Sequence, residues 1–255
     1  MTGTKDQVRR PRLDPDTRGG LRLTLAAART LILLIPFGLL LLVVADQWRP
    51  SRQLDHSLAA GLNAYAYAHP GYVSVLKAIS TICHPAVFEV VAVVVAGGLA
   101  VRRRPRLAAW LVLTVFGGGL LSTLVKLAVD RKRPLLPHPV AHAASASFPS
   151  GHALGSIVGV GALLLTFLPA VRRPARPVLV ALGAAVVLAV GFSRLGLGVH
   201  YLTDVLGGYL LGAGWLAVTT AAFTAWRRDL RRPPQPISAG LEPDAPEPRA
   251  PNRSK

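Results

Sequence analysis

Apolar residues in this chain come in long blocks, without the alternation that marks a strand. Six stretches are almost continuously apolar: roughly Ala27–Asp46, His84–Val101, Leu107–Lys126, Gly151–Val171, Pro177–Ser193 and Val205–Trp226. A bilayer core about 30 Å thick takes about 20 residues of helix. The pattern therefore predicts an all-α integral membrane protein with six transmembrane helices. Backbone buried in lipid must satisfy itself, and a helix does so within one segment. The missing two-residue period argues against a barrel. The second block carries Glu89 and the fifth is short. Glu89 is an intramembrane acid, a functional hypothesis by default, but its depth is open and it stays outside the predicted site.

The connections are less regular. Gln47–Cys83 is the longest, with weak apolar patterns at Leu54–Ala68 and Val73–Ile82. These read either as amphipathic helices at the membrane interface or as a packed outer loop. The small-residue runs Gly117-Gly118-Gly119 and Gly207-Gly208 predict close helix packing.

Charge orients the blocks. Arg102–Arg104 with Arg106, Arg172–Arg173 with Arg176, and Arg227–Arg228 with Arg231–Arg232 fall on one side of a six-span layout, together with the basic N-terminal tail. The positive-inside rule makes that side cytoplasmic. Both termini are then cytoplasmic, in a cell membrane crossed several times. Trp48, Trp110 and Trp226 lie near span ends, as interfacial anchors do. One connection breaks the charge rule: Lys126, Arg131, Lys132 and Arg133 lie on the outer side, and a cationic cluster there needs a local explanation.

Composition narrows the class further. Only 16% of residues are charged and 51% are hydrophobic, against roughly 25% charged in an average soluble domain. The net charge of +17 suggests nucleic acid at first sight. Its distribution between apolar blocks and in the tails excludes that reading. Cys83 is the single cysteine, so neither an internal disulfide nor a cysteine-based metal cage is available. The organisation expected is a disordered basic tail over 1–26, a six-span domain over 27–226 and a disordered Pro/Arg-rich tail over 227–255. The apolar stretch after Arg29 is too long for a typical signal-peptide core, with no small-residue cleavage site after it. It reads as an uncleaved first span.

Three polar groupings sit at the outer ends of the last four blocks. Lys126 and Arg133 are seven apart, with Pro134 after them. They share a face if the helix continues, and two cations aimed at one point suit a dianion. The bland reading is a pair of snorkelling interfacial cations. Pro149-Ser150-Gly151-His152 looks like a turn into a helix start, with Ser150 as N-cap and Gly151 leaving the backbone open to a phosphate. Its bland reading is an ordinary cap beside an interfacial histidine. Ser193-Arg194 precedes His200 and Asp204, which are four apart and so placed on one helical face. A carboxylate on one ring nitrogen leaves the other nucleophilic; the bland reading is a structural pair. His138 and His142 invite a metal site with His152 and His200. Pro134, Pro137 and Pro139 break the helix that would align them, and a place at the substrate entrance, or simple exposure, fits them better. Asp130 either pairs with Lys126 or is solvated.

Taken together, Lys126-x6-Arg133-Pro134, Pro149-Ser150-Gly151-His152 and Ser193-Arg194-x5-His200-x3-Asp204 resemble the three-part signature of the type 2 phosphatidic acid phosphatases, or lipid phosphate phosphatases, which are related to vanadium-dependent haloperoxidases. Every motif position matches, over roughly Leu107 to Trp226. The resemblance implies a helical core of that family and a lipid phosphate or diphosphate as substrate. It implies His200 as nucleophile through a phosphohistidine, Asp204 as its orienting partner, and His152 as acid and then base. Lys126, Arg133, Ser150, Gly151 and Arg194 would bind the phosphate. No metal and no cofactor are required, since three cations and a helix N-terminus supply the electrostatics; the partners expected are the lipid phosphate substrate and membrane lipids, without nucleic acid, and the span layout puts the site on the extracytoplasmic side. Three other readings stay open: head-group or phosphoryl transfer to an alcohol, capture of anionic lipid without cleavage, and a haloperoxidase-like oxidation, a branch that is typically soluble.

Overall fold

The computed structural model describes residue 32 and residues 34–228. The tail expected over 1–26, and all but the first two residues of the one expected over 227–255, lie outside this set. Among the described residues all regular structure is helical. The helices are α1 (Leu34–Ala45), α2 (Arg49–Ala68), α3 (Pro70–Ile82), α4 (Pro85–Val101), α5 (Pro105–Val129), α6 (Gly151–Phe167), α7 (Arg176–Gly196) and α8 (Leu202–Arg228). Two 3₁₀ turns, Leu168–Ala170 and Arg173–Ala175, join α6 to α7. Helices α2, α3, α4, α5 and α7 each open with proline at the first or second position. There the missing N–H costs nothing and the fixed φ suits the helix.

Among the described residues, five stretches are long and apolar enough to cross a membrane: Pro70–Val101, Pro105–Val129, Gly151–Ala170, Arg173–Gly196 and Leu202–Trp226. The last four coincide with the third to sixth apolar blocks. The first is longer than its block, because α3 and α4 form one apolar run. Of the span expected at Ala27–Asp46, the described part is residue 32 and residues 34–46, which hold the short helix α1; the rest lies outside the described residues. Helix α5 is apolar on both sides: Leu107 and Leu111 are buried, while Leu113 and Leu120 are 69% and 62% exposed. A helix apolar all round is solvated by lipid. The protein is a multi-pass membrane protein.

Helix α6 lies at the centre, packed on α4, α5, α7 and α8. Its Leu154, Val158 and Ala162 join Leu111 and Val115 of α5, Ala92 and Ala96 of α4 and Leu211 of α8 in one core, with Phe37 of α1 stacked on Phe148. The glycine runs do what their composition predicts. A Cβ on Gly117 would lie 2.5 Å from the Trp215 ring, and one on Gly208 would lie 2.6 Å from the Ser150 carbonyl oxygen. Gly208 therefore brings α8 against the backbone of the first turn of α6.

One expectation about the helices needs correction. Trp110 is no interfacial anchor: it is buried on Phe223. Trp226 stays half exposed with the Arg106 guanidinium over its ring. The 47–83 connection is both helical and packed. On α2 the buried residues Asp55, Ala59, Asn63 and Ala66 recur every three or four positions, a single stripe facing the protein. Ala66, with Val73 and Leu76 of α3, closes over Leu197 and Val199 beyond the end of α7.

Candidate functional site

The three groupings meet where α5 ends, α6 begins, and α7 passes into α8. Ser150 caps α6, its Oγ accepting from the Ala153 N–H. Its own N–H donates to the Asp204 carbonyl at 2.9 Å. Gly151 is the first residue of α6; a Cβ there would stand 3.5 Å from Ser122 Oγ and 3.8 Å from Lys126 Cε. His152 follows in the first turn, its ring edge-on to His84 at 4.9 Å.

Helix α5 does not reach Arg133. It stops at Val129, and Asp130 takes a left-handed conformation (φ 43°) with its N–H on the Lys126 carbonyl. Lys126 and Arg133 thus share no helical face. They converge from a helix end and from the loop beyond it: both donate to the Ala146 carbonyl, Lys126 Nζ at 2.5 Å and Arg133 Nη2 at 3.4 Å. Asp130 is exposed, at the helix end, and makes no ion pair with Lys126.

His200 and Asp204 also come together differently from the shared-face expectation. Helix α8 begins at Leu202, so His200 precedes it and Asp204 occupies its third position. From there the Asp204 carboxylate reaches back to the Tyr201 N–H at 2.8 Å, the acidic half of a capping box. This return places Asp204 Oδ2 at 3.4 Å from His200 Nδ1, a loose ion-pair distance. The other ring nitrogen, Nε2, lies 3.1 Å from Arg133 Nη1. A guanidinium only donates, so Nε2 presents its lone pair and Nδ1 carries the proton toward Asp204. Burial dominates the titration of His200 and lowers its pKa to about 4. Asp204 opposes that shift, while Arg133 and Arg194 add to it. The ring is neutral above that pH.

The cations divide sharply. Among the described residues, Lys126, Arg133 and Arg194 form no ion pair with a carboxylate. Arg194 is buried, donates one bond to Ser80 Oγ, and has an unpartnered Nε. Arg133 binds the Ser145 and Val199 carbonyls at 2.7 and 2.6 Å. Arg131, by contrast, is paired twice: Nη1 meets Asp204 Oδ1 at 2.6 Å and Nη2 meets Asp55 Oδ2 at 2.8 Å. Burial works against its charge, but the two carboxylates outweigh it and raise its pKa. This is the local explanation for part of the cationic cluster from Lys126 to Arg133. Asp55, Ser147 and Thr203 escaped the sequence reading. Their only signal was an arginine that broke the expected charge pattern and so needed a partner.

Beside Lys126 and Gly151 lies a cavity of about 720 Å³ between α4, α5 and α6, lined by Phe88, Glu89, Ser122, Leu127 and Leu154 among others. Glu89 is half-buried in its wall. His138 lies elsewhere, stacked on Tyr67, with its carbonyl held by Asn63; His142 is exposed.

Residues 107–228 match the PAP2 superfamily. The chain is 41% identical over 106 residues to phosphatidylglycerophosphatase B of Bacillus subtilis, covering 40% of this chain and 51% of that protein. It is 36% identical over 124 residues to lipid A 1-phosphatase of Rhizobium etli, covering 45% and 49%. It is 37% identical over 99 residues to undecaprenyl-diphosphatase BcrC of Bacillus subtilis, covering 37% and 47%. The chain thus spans about half the length of the curated relatives it matches. The crystal structure of a transmembrane PAP2 type phosphatidylglycerolphosphate phosphatase from Bacillus subtilis superposes with a TM-score of 0.65 at 23% identity, covering 78% of this chain and 97% of that one. That likeness establishes the fold.

Proposed function

From the premise that residues 107–228 are a PAP2-superfamily region, we propose that the protein is a membrane phosphatase. It would cleave a lipid phosphate or lipid diphosphate at the extracytoplasmic face through a phosphohistidine. The observation that carries this reading is His200. Its lone-pair nitrogen is set by Arg133 and its protonated nitrogen faces Asp204, beside three cations that lack a carboxylate. Buried or half-buried cations without counter-charge are costly, and a phosphate dianion supplies one. The names of the relatives extend the substrate class to glycerophospholipid, lipid A and prenyl phosphates.

In this reading Lys126, Arg133 and Arg194 take the phosphate oxygens, with Ser150 and the Gly151 N–H at the start of α6. His200 Nε2 attacks phosphorus, and the bond to the leaving oxygen breaks as His152 gives that oxygen a proton. His152 then takes a proton from water, whose oxygen attacks phosphorus. The N–P bond breaks and phosphate leaves with neutral His200 restored. Positioning and charge stabilisation do most of what phosphoryl transfer needs. The arginine-rich turns at the opposite ends of the helices support the extracytoplasmic placement.

The test is phosphate release from a panel of lipid phosphates and diphosphates by purified protein in detergent, with chelator present. Release should vanish in His200→Ala, a loss of at least about 10⁴-fold. An acid-labile phosphoprotein should be trapped from the wild type and not from the variant. Release that survives in His200→Ala would refute the nucleophile, and a folded wild type that releases nothing would refute the phosphatase.

A further inference from the structure

Asp204 is not free to serve His200 alone. Its Oδ1 is held by Arg131 at 2.6 Å, and its Oδ2 accepts from Ser147 Oγ and the Tyr201 N–H. An arginine at that distance cancels much of a carboxylate's field. Yet a histidine attacking phosphorus becomes positively charged and needs a net negative charge behind it. The structure supplies a second carboxylate. Asp55, fully buried on α2, takes the other arm of Arg131 at 2.8 Å. It also accepts from Thr203 N at 3.1 Å and from Thr203 Oγ1 at 2.6 Å. Thr203 Oγ1 in turn accepts from Arg131 Nη1 at 2.7 Å, and the Tyr201 ring lies 4.4 Å from the guanidinium. The arrangement is closed: every charged oxygen of Asp55 and Asp204 has a donor, and Arg131 is shared between them.

We propose that Asp55, through Arg131, is a positioning and charge-balancing residue of the nucleophile. It returns the group behind His200 to one net negative charge, the charge that the developing phosphohistidine requires. Arg131 locks the Asp204 carboxylate in place, and Asp55 offsets the cation that the lock introduces. Helix α2, outside the matched region and remote in sequence, thereby takes part in the chemistry. The inference rests on the phosphohistidine reading of His200. The charged and titratable groups facing that ring are Asp204 from α8, Arg133 beyond α5, Arg194 from α7 and His152 from α6. Asp55 acts on it only through Arg131 and Asp204.

Charge arithmetic gives a test that simple damage does not mimic. Asp55→Asn leaves Arg131 and Asp204 neutral together, and kcat should fall about 10- to 100-fold with KM within about twofold. Adding Arg131→Gln restores one net negative charge, so the double variant should recover to within about threefold of wild-type kcat. Arg131→Gln alone leaves two carboxylates behind the ring. This favours the imidazolium and should move the acid limb of kcat/KM upward from its wild-type position. Asp55→Glu, which keeps the charge, should stay near wild type. All are measured as phosphate release, with melting and gel filtration in detergent. Kinetics unchanged in Asp55→Asn, or a double variant that is worse than Asp55→Asn or fails to fold, would overturn the proposal and leave the pair a structural staple. A wild type that releases no phosphate would instead sink the phosphatase reading itself.

Discussion

The two sides of His200 are built on opposite terms. Behind the ring, Asp204, Arg131, Asp55, Ser147 and Thr203 form a closed network in which each charge meets its opposite. In front, Lys126, Arg133 and Arg194 rest on carbonyls and a hydroxyl, with no carboxylate among the described residues to neutralise them. Two arginines separated by one residue, Arg131 and Arg133, fall on opposite sides of this divide. On the proposed function, one cation-rich loop serves two ends. A paired arginine fixes geometry, while an unpaired one keeps its charge for a ligand.

Substitutions that erase the divide should hurt most. Asp204→Asn leaves the packing of α8 in place but removes the acceptor that faces Nδ1–H and the charge behind the nucleophile. Phosphate release should fall about 10³- to 10⁴-fold, with unchanged elution and a lowered melting temperature, because the amide sets an N–H against Arg131 or against Ser147 and the Tyr201 N–H. Arg133→Ala acts on the front. It frees Nε2 but removes a donor to the phosphate, so a loss of about 10²- to 10³-fold is expected, together with weaker inhibition by vanadate. Arg133→Lys should rescue little, because an ammonium cannot reproduce the forked contacts. If Arg133→Ala left vanadate inhibition intact, the front would not be the anion site. The smallest effect probes what holds the sides in register. Gly208→Ala places a methyl group 2.6 Å from the Ser150 carbonyl and 3.1 Å from the Leu154 nitrogen, both backbone atoms that cannot swing aside. Overpacking of this kind costs about 1–3 kcal/mol, read as a lowered melting temperature with a partial loss of rate. An unchanged Tm would mean that α6 and α8 can part without penalty.

Much of this was legible in the chain because it depends on short-range order. The apolar blocks from Leu107 onward match four helices to within about four residues at each end, and Ser150 reads as an N-cap from its own neighbours. What failed depended on the backbone between landmarks. The spacing of Lys126 and Arg133 suggested a common face, but Asp130 turns the chain left-handed between them. The spacing of His200 and Asp204 suggested a helix, but the helix starts two residues after His200. The Asp55 network was out of reach for another reason. Asp55 lies 76 residues from Arg131 and 148 from Thr203, and no local pattern encodes pairing over that range. Buried Trp110 shows the same limit: a tryptophan near a span end looks alike whether it meets headgroups or Phe223.

The cavity beside Lys126 has a consequence for how rates should be measured. Part of its rim is Leu127, which is 75% exposed on the lipid-facing side of α5. On the proposed function, a lipid substrate entering there would diffuse within the plane of the bilayer. Its effective concentration is a surface density, the mole fraction of substrate among the surrounding lipids. Adding inert lipid or detergent at constant bulk substrate should then slow the protein as surely as diluting the solution slows a soluble enzyme.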